Sequence, residues 1–326
     1  MRGHRLRLVI GLCCGIAVAR SGAADAPRGP QQPDSGPGGS DYIHANYERS
    51  RFGRAGEQYW LFTPTEPRPR RAPVVVFLHG WMTAEPLFYE AWIVHLVRRG
   101  AIVIFPRYQS GPRTPAAEFT ALAARAVKQG LVRLRTSGPV KPDMTKLAFL
   151  GHCTGAVVAA NLAASCASLD IPRPAAVMCV EPGRSLYTQT VFEVPRADYS
   201  SIAAGTLLLC LTGDEDHLAD PAMATHIIRE TKLVPKKAKS LVIACSDDHG
   251  DPALVADHTF PTGQLGSGYQ LSALDFNACW KLFDGLTDAA FFGTNEQYAL
   301  GNTPEQRYMG KWSDGTPVRE LQVRDQ

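Results

Sequence analysis

The stretch KLAFLGHCTGAVVAA, Lys146 to Ala160, decides the reading of this chain. Leu147 to Leu150 is an apolar run of strand length, Gly151-His152-Cys153-Thr154-Gly155 forms a turn, and Ala156 to Ala164 reads as a buried, alanine-rich helix. A strand that reverses so abruptly into a helix holds its central residue in strained backbone geometry, side chain outward. It can do so only if the flanking positions are nearly free of side chain. Gly151 and Gly155 meet that demand, and Cys153 is the residue presented.

Upstream, Asp41 to Gly53 and Glu57 to Thr63 read as two strands, followed by a proline-rich loop from Pro64 to Pro73. Val74 to Leu78 (VVVFL) is continuously apolar, the mark of a strand buried on both faces of a parallel sheet. It ends in His79-Gly80-Trp81-Met82, where the glycine lets the backbone pass close to a ligand. Pro86 to Arg99 has helical spacing of Phe88, Trp92 and Leu96 and stops at Gly100. Ala101 to Phe105 is the next strand and Pro115 to Arg135 the next helix. Downstream, strands are predicted at Ala175 to Val180, Thr206 to Leu211 and Leu241 to Cys245, and Leu274 to Phe292 has helical periodicity. Such alternation predicts an α/β fold with right-handed crossovers and a doubly wound, mostly parallel sheet of about eight strands.

The GxCxG turn, the HG loop before it, and an acid and a histidine after it in chain order resemble the α/β-hydrolase superfamily, with cysteine where the nucleophile elbow usually has serine. The resemblance spans roughly Asp41 to Phe292. It implies Cys153 as nucleophile and the amides of Trp81 and Thr154 as oxyanion donors. It favours Asp216, three residues past Gly213, as the acid, with Glu181 at the end of the preceding strand as competitor. His249, a few residues past the last predicted strand, has the position of the general base, and His258 in the following loop is the second choice. The short, irregular stretch after Gly183 has no room for a large cap, so a shallow, open site is expected. A cysteine elbow, the lack of a cap and the triad order also resemble dienelactone hydrolase, which implies an esterase acting on an ester, thioester or lactone.

Composition bounds the rest. With 326 residues and 45% hydrophobic content the chain can bury a large α/β core, while a net charge of +3, evenly spread, gives no reason to expect a nucleic-acid partner. Arg2, Arg5 and Arg7 precede an apolar stretch from Leu8 to Ala19 and the small residues Gly22-Ala23-Ala24. That pattern predicts a cleaved signal peptide over 1–24 and a secreted or periplasmic protein, since the apolar stretch is short for a stable membrane span. Residues 25–40, rich in Pro, Gly and Ser, are expected to be a disordered lead-in, 41–292 the hydrolase domain, and 293–326 a C-terminal extension packed on or near it. No CxxC or HExxH occurs, so neither metal nor cofactor is expected. Oligomeric state is left open.

The expected chemistry is attack of Cys153 on a carbonyl carbon, with a histidine taking the thiol proton and an acid orienting that histidine. A thiolate forms more readily than an alkoxide but is also a better leaving group. The tetrahedral intermediate therefore favours a small-molecule or polymeric substrate whose own leaving group is good, and disfavours amides.

Overall fold

A computed structural model describes residues 26–183, 193–219, 221–262 and 270–324. The predicted signal peptide lies outside these residues. Among the described residues, nine strands form one sheet in the order β1-β2-β4-β3-β5-β6-β7-β8-β9. They are β1 (Asn46–Phe52), β2 (Gln58–Thr65), β3 (Arg71–Leu78), β4 (Ile102–Arg107), β5 (Lys141–His152), β6 (Ala176–Val180), β7 (Leu207–Gly213), β8 (Lys239–Ala244) and β9 (Gln322–Arg324). From β4 through β3, β5, β6 and β7 to β8 every pairing is parallel, while β1, β2 and β9 run antiparallel to their neighbours. This is the α/β fold that the alternating pattern predicts, with one strand more.

The helices lie on both faces because the central strands are apolar on both. Val74, Val76, Leu147, Phe149, Val177 and Cys179 enter one core, and Val75, Phe77, Ala148, Leu150, Ala176 and Met178 enter the other. Successive residues of a strand point to opposite faces, so an uninterrupted apolar run fills both cores. The first core is closed by α2 (Phe119–Ser137), α3 (Thr154–Leu169) and α4 (Ala222–Glu230). The second is closed by α1 (Glu90–Arg98), a π-helical turn at Leu274–Trp280, and α5 (Lys281–Phe292).

Residues 26–40 correct the expectation of a disordered lead-in. The Arg28 amide donates to Ser313 Oγ at 2.9 Å, the Ser313 amide returns a bond to Arg28 O at 2.9 Å, and the Gly38 amide donates to buried Asp284 at 2.8 Å. Few apolar groups are needed to order such a segment when its backbone donors and acceptors find partners in the body of the protein. Some of its partners come from the far end of the chain, where buried Trp312 and the short helix α6 (Pro304–Arg307) pack and β9 completes the sheet. Lys281, itself buried, donates to the carbonyls of Gln306 and Tyr308 at 2.9 and 2.5 Å and fastens that end to α5.

Candidate active site

The C-terminal ends of the parallel strands carry the site. Between β5 and α3, Cys153 adopts φ 55° and ψ −123°. A Cβ on Gly151 would fall 2.2 Å from Gly155 O, and one on Gly155 would fall 2.2 Å from Leu78 O. Neither position tolerates a side chain, which is the physical content of the GxCxG spacing. Cys153 is 6% exposed and sits at the N-terminus of α3.

The loop after β3 approaches the thiol from the other side. A Cβ on Gly80 would lie 3.1 Å from Cys153 Cβ, so any side chain there would press on the thiol's own carbon and force a neighbour to give way by a few tenths of an ångström. Met82 has φ 60°, and its amide donates to Gln109 Oε1 at 2.8 Å. The His79 ring stacks on Tyr108 at 4.0 Å, and the Tyr108 hydroxyl donates to His79 O. Pinned in this way, the loop directs the Trp81 amide at Cys153, which also receives the Thr154 amide.

The acid and base candidates separate clearly. Asp216 Oδ1 accepts from the amides of Leu218 and Ala219 at 2.8 and 2.9 Å, and its Oδ2 lies 2.8 Å from His258 Nδ1. The other ring nitrogen of His258 is left for the Cys153 thiol, with which the imidazole shares a hydrogen bond. Asp214 instead ties two loops together, accepting from the Ser246 amide at 2.8 Å and its hydroxyl at 2.7 Å.

His249, first choice on the sequence, is not in the site. Its Nε2 lies 2.8 Å from Asp314 on the C-terminal extension, with the imidazole 39% exposed. The cause is a pair of hydrogen bonds between the backbones of Asp247 and Leu254, 2.8 Å each, which closes the residues between them into a projecting tip and returns the chain so that His258 reaches Cys153. The signal for this was the turn-rich run Asp248-His249-Gly250-Asp251-Pro252.

Glu181 is almost fully buried, and its carboxyl lies with Asp216 and His258 in a group whose polar atoms are all within 4.8 Å of one another. Such a trio could hold a metal ion, although Asp216 and His258 already bond to each other. Burial, reinforced by a hydrogen bond with Asp216 and its charge, raises the Glu181 pKa well above the ordinary value. This favours the protonated form of Glu181 beside an ionised Asp216. Asp216 is held well below the carboxylate range: burial opposes this, but the bonds from His258 and Glu181 and the His258 charge prevail. A carboxyl whose folded pKa is raised contributes stability that is full below its unfolded pKa and is lost as pH rises through the folded one. Glu181→Gln is accordingly expected to flatten the fall of Tm with rising pH and to raise Tm relative to the parent at pH 8, read by thermal melts across pH 5–8. A variant that melts lower than the parent at pH 8 would contradict this.

Cys153 and His258 form the complementary pair. Burial alone would push the thiol up, but the hydrogen bond and charge of His258 and the amides of Trp81 and Thr154 outweigh it and bring the thiol below its ordinary value. Burial would lower His258, yet its bonds to Asp216 and Cys153 and their charges push it up to about 10. Both shifts favour a thiolate–imidazolium pair at neutral pH.

A sharp strand-to-helix turn presenting a nucleophile, fed by a doubly wound sheet, defines the α/β-hydrolase class. Residues 48–202, just under half of the chain, match the profile of the chlorophyllase family. That family hydrolyses ester bonds, and the sheet order together with this partial match is consistent with an α/β-hydrolase of the ester-bond class. The match includes the elbow and the loop after β3 but stops before Asp216 and His258. No curated protein matches the chain significantly. Among the described residues, no helix is long and apolar enough to cross a membrane.

Proposed function

We propose that the chain is an exported hydrolase of activated esters, thioesters or lactones, akin to the dienelactone-hydrolase branch, with Cys153 as nucleophile, His258 as acid and base and Asp216 as its orienting carboxylate. The observation that carries this reading is the convergence on one sulfur of His258 and two backbone amides, those of Trp81 and Thr154. The export component rests on the N-terminal sequence pattern alone.

In the resting pair the thiolate attacks the carbonyl carbon and the C=O electron pair moves onto oxygen. The amides of Trp81 and Thr154 receive that oxyanion; removing one such donor in comparable enzymes costs roughly 10²–10³-fold in kcat. As the intermediate collapses, the His258 imidazolium gives its proton to the departing alkoxide or thiolate. Neutral His258 then takes a proton from water, hydroxide attacks the thioester, and Cys153 leaves as thiolate with the acid released. Asp216 keeps the imidazole in one orientation throughout.

The test is hydrolysis of p-nitrophenyl acetate and a short acyl thioester against pH, before and after iodoacetamide, with mass spectrometry locating the label. All six described cysteines are free and buried, and Cys153 alone carries an activating histidine, so selective labelling is expected. Activity should disappear in proportion to Cys153 labelling. It should rise with pH through a thiol ionisation below the free-cysteine value of about 8.5 and fall near pH 10 as His258 loses its proton. Turnover that survives complete labelling of Cys153 would overturn the assignment.

A further inference from the structure

One buried hydrogen-bond network beside the site is used by none of these steps. Tyr89 and His152 are 1% and 3% exposed. His152 Nε2 lies 2.9 Å from the carbonyl oxygen of His258, and His152 Nδ1 lies 2.9 Å from the Tyr89 hydroxyl. That hydroxyl is 2.8 Å from both the Gly80 amide nitrogen and Thr83 Oγ1.

The chemistry of the end groups fixes every proton. A carbonyl only accepts, so His152 Nε2 carries the ring proton. Burial lowers the His152 pKa to about 3, so the ring is neutral and its Nδ1 must accept. Tyr89 therefore donates to Nδ1, and its two lone pairs accept from the Gly80 amide and the Thr83 hydroxyl. The row runs in one direction, from the loop after β3 to the loop that holds His258, with no polar atom left over.

We propose that Tyr89 and His152 are positioning residues that lock the Gly80–Trp81 loop to the His258 loop, fixing the oxyanion donors and the proton donor at one separation across Cys153. This rests on the roles given above to Cys153 and His258. His258 is held twice, at Nδ1 by Asp216 and at its carbonyl by His152, and the two imidazoles pack at 5.0 Å. Gly80 immediately precedes the Trp81 amide. Tyr89 is seated independently of its hydroxyl, its ring packing on Phe77 at 4.9 Å.

The test uses Tyr89→Phe, which keeps that packing, together with His152→Gln and His152→Leu. Gln can supply an N–H to His258 O and an oxygen to the Tyr89 hydroxyl; Leu can supply neither. Tyr89→Phe and His152→Leu are expected to lose on the order of 10- to 100-fold in kcat with KM changed by less than about threefold, as small displacements of a positioned group do. His152→Gln should recover most of that loss. The pH midpoint of Cys153 alkylation, which requires no ester turnover, should rise in Tyr89→Phe and His152→Leu and stay near the parent in His152→Gln. Lowered Tm with unchanged kcat and alkylation midpoint, or Gln and Leu behaving alike, would overturn the positioning role. Parent turnover that persists after Cys153 labelling would instead remove the catalytic reading, so the two failures are distinguishable.

Discussion

Replacing His258 with alanine is expected to lower kcat/KM for an activated ester by on the order of 10²–10⁴-fold, the range usual for a positioned acid–base group. The loss has two parts. The leaving group loses its proton donor, and the thiol loses the partner that offsets its burial, so the alkylation midpoint of Cys153 should move up as well. Asp216 is also left in a largely buried position without its main cation. His249→Ala makes the contrast. It breaks a solvent-exposed pair with Asp314, which screening by water makes weak, and should leave kcat/KM within about twofold. The reverse outcome, with His249→Ala silent and His258→Ala active, would return the base to the residue that the sequence favours.

Gly155→Ala should prevent folding or cost more than about 4 kcal/mol, the exceptional range for a single substitution. The added Cβ would meet Leu78 O at 2.2 Å and His79 O at 2.4 Å. These are backbone atoms at the end of β3, in the middle of the sheet, and cannot swing aside as a flexible side chain would. Relief would require moving α3 away from β3 and the thiol away from the Trp81 amide. Gly205→Ala is the matched control: it adds the same methyl where no heavy atom lies within 4 Å, and should change stability by less than about 0.5 kcal/mol. Thermal and urea melts read both, and a Gly155→Ala protein melting within 2 °C of the parent would show that the elbow tolerates a side chain.

The features legible in the sequence are those set by local physics. Apolar runs such as Val74 to Leu78 announce strands buried on both faces, and paired glycines around Cys153 announce a turn that only they can make. Asp216 could be placed because it follows a strand by three residues, and its carboxylate is the one set against His258. The choice between His249 and His258 was legible only in part: the turn-rich run from Asp248 to Pro252 announces a reversal, but its closure depends on Asp247 pairing with Leu254, which has no strand propensity behind it. The three-residue β9, with the pattern Gln-Val-Arg, carries too little periodicity to read and exists because β8 offers it an open edge. The nine-residue α4 buries only Ala224, Ile227 and Ile228, a signal confined to little more than one turn. The order of residues 26–40 is likewise written in the groups they meet and not in their own composition.

Those meetings set a sequence of events for folding. Arg28 and Ser313 exchange backbone and hydroxyl bonds across 285 residues of chain, and Pro27 O accepts from the Asp251 amide at the tip that carries His249. Contacts of such long separation carry the largest loop-closure entropy unless the intervening chain is already compact. The clasp between the first and last described segments is therefore expected to close late, after the central parallel strands have paired. The elbow, assembled from neighbours in sequence, precedes it. On this expectation the thiol is placed early, while the segment that leads to its histidine gains its last backbone partners only when both ends of the chain have met.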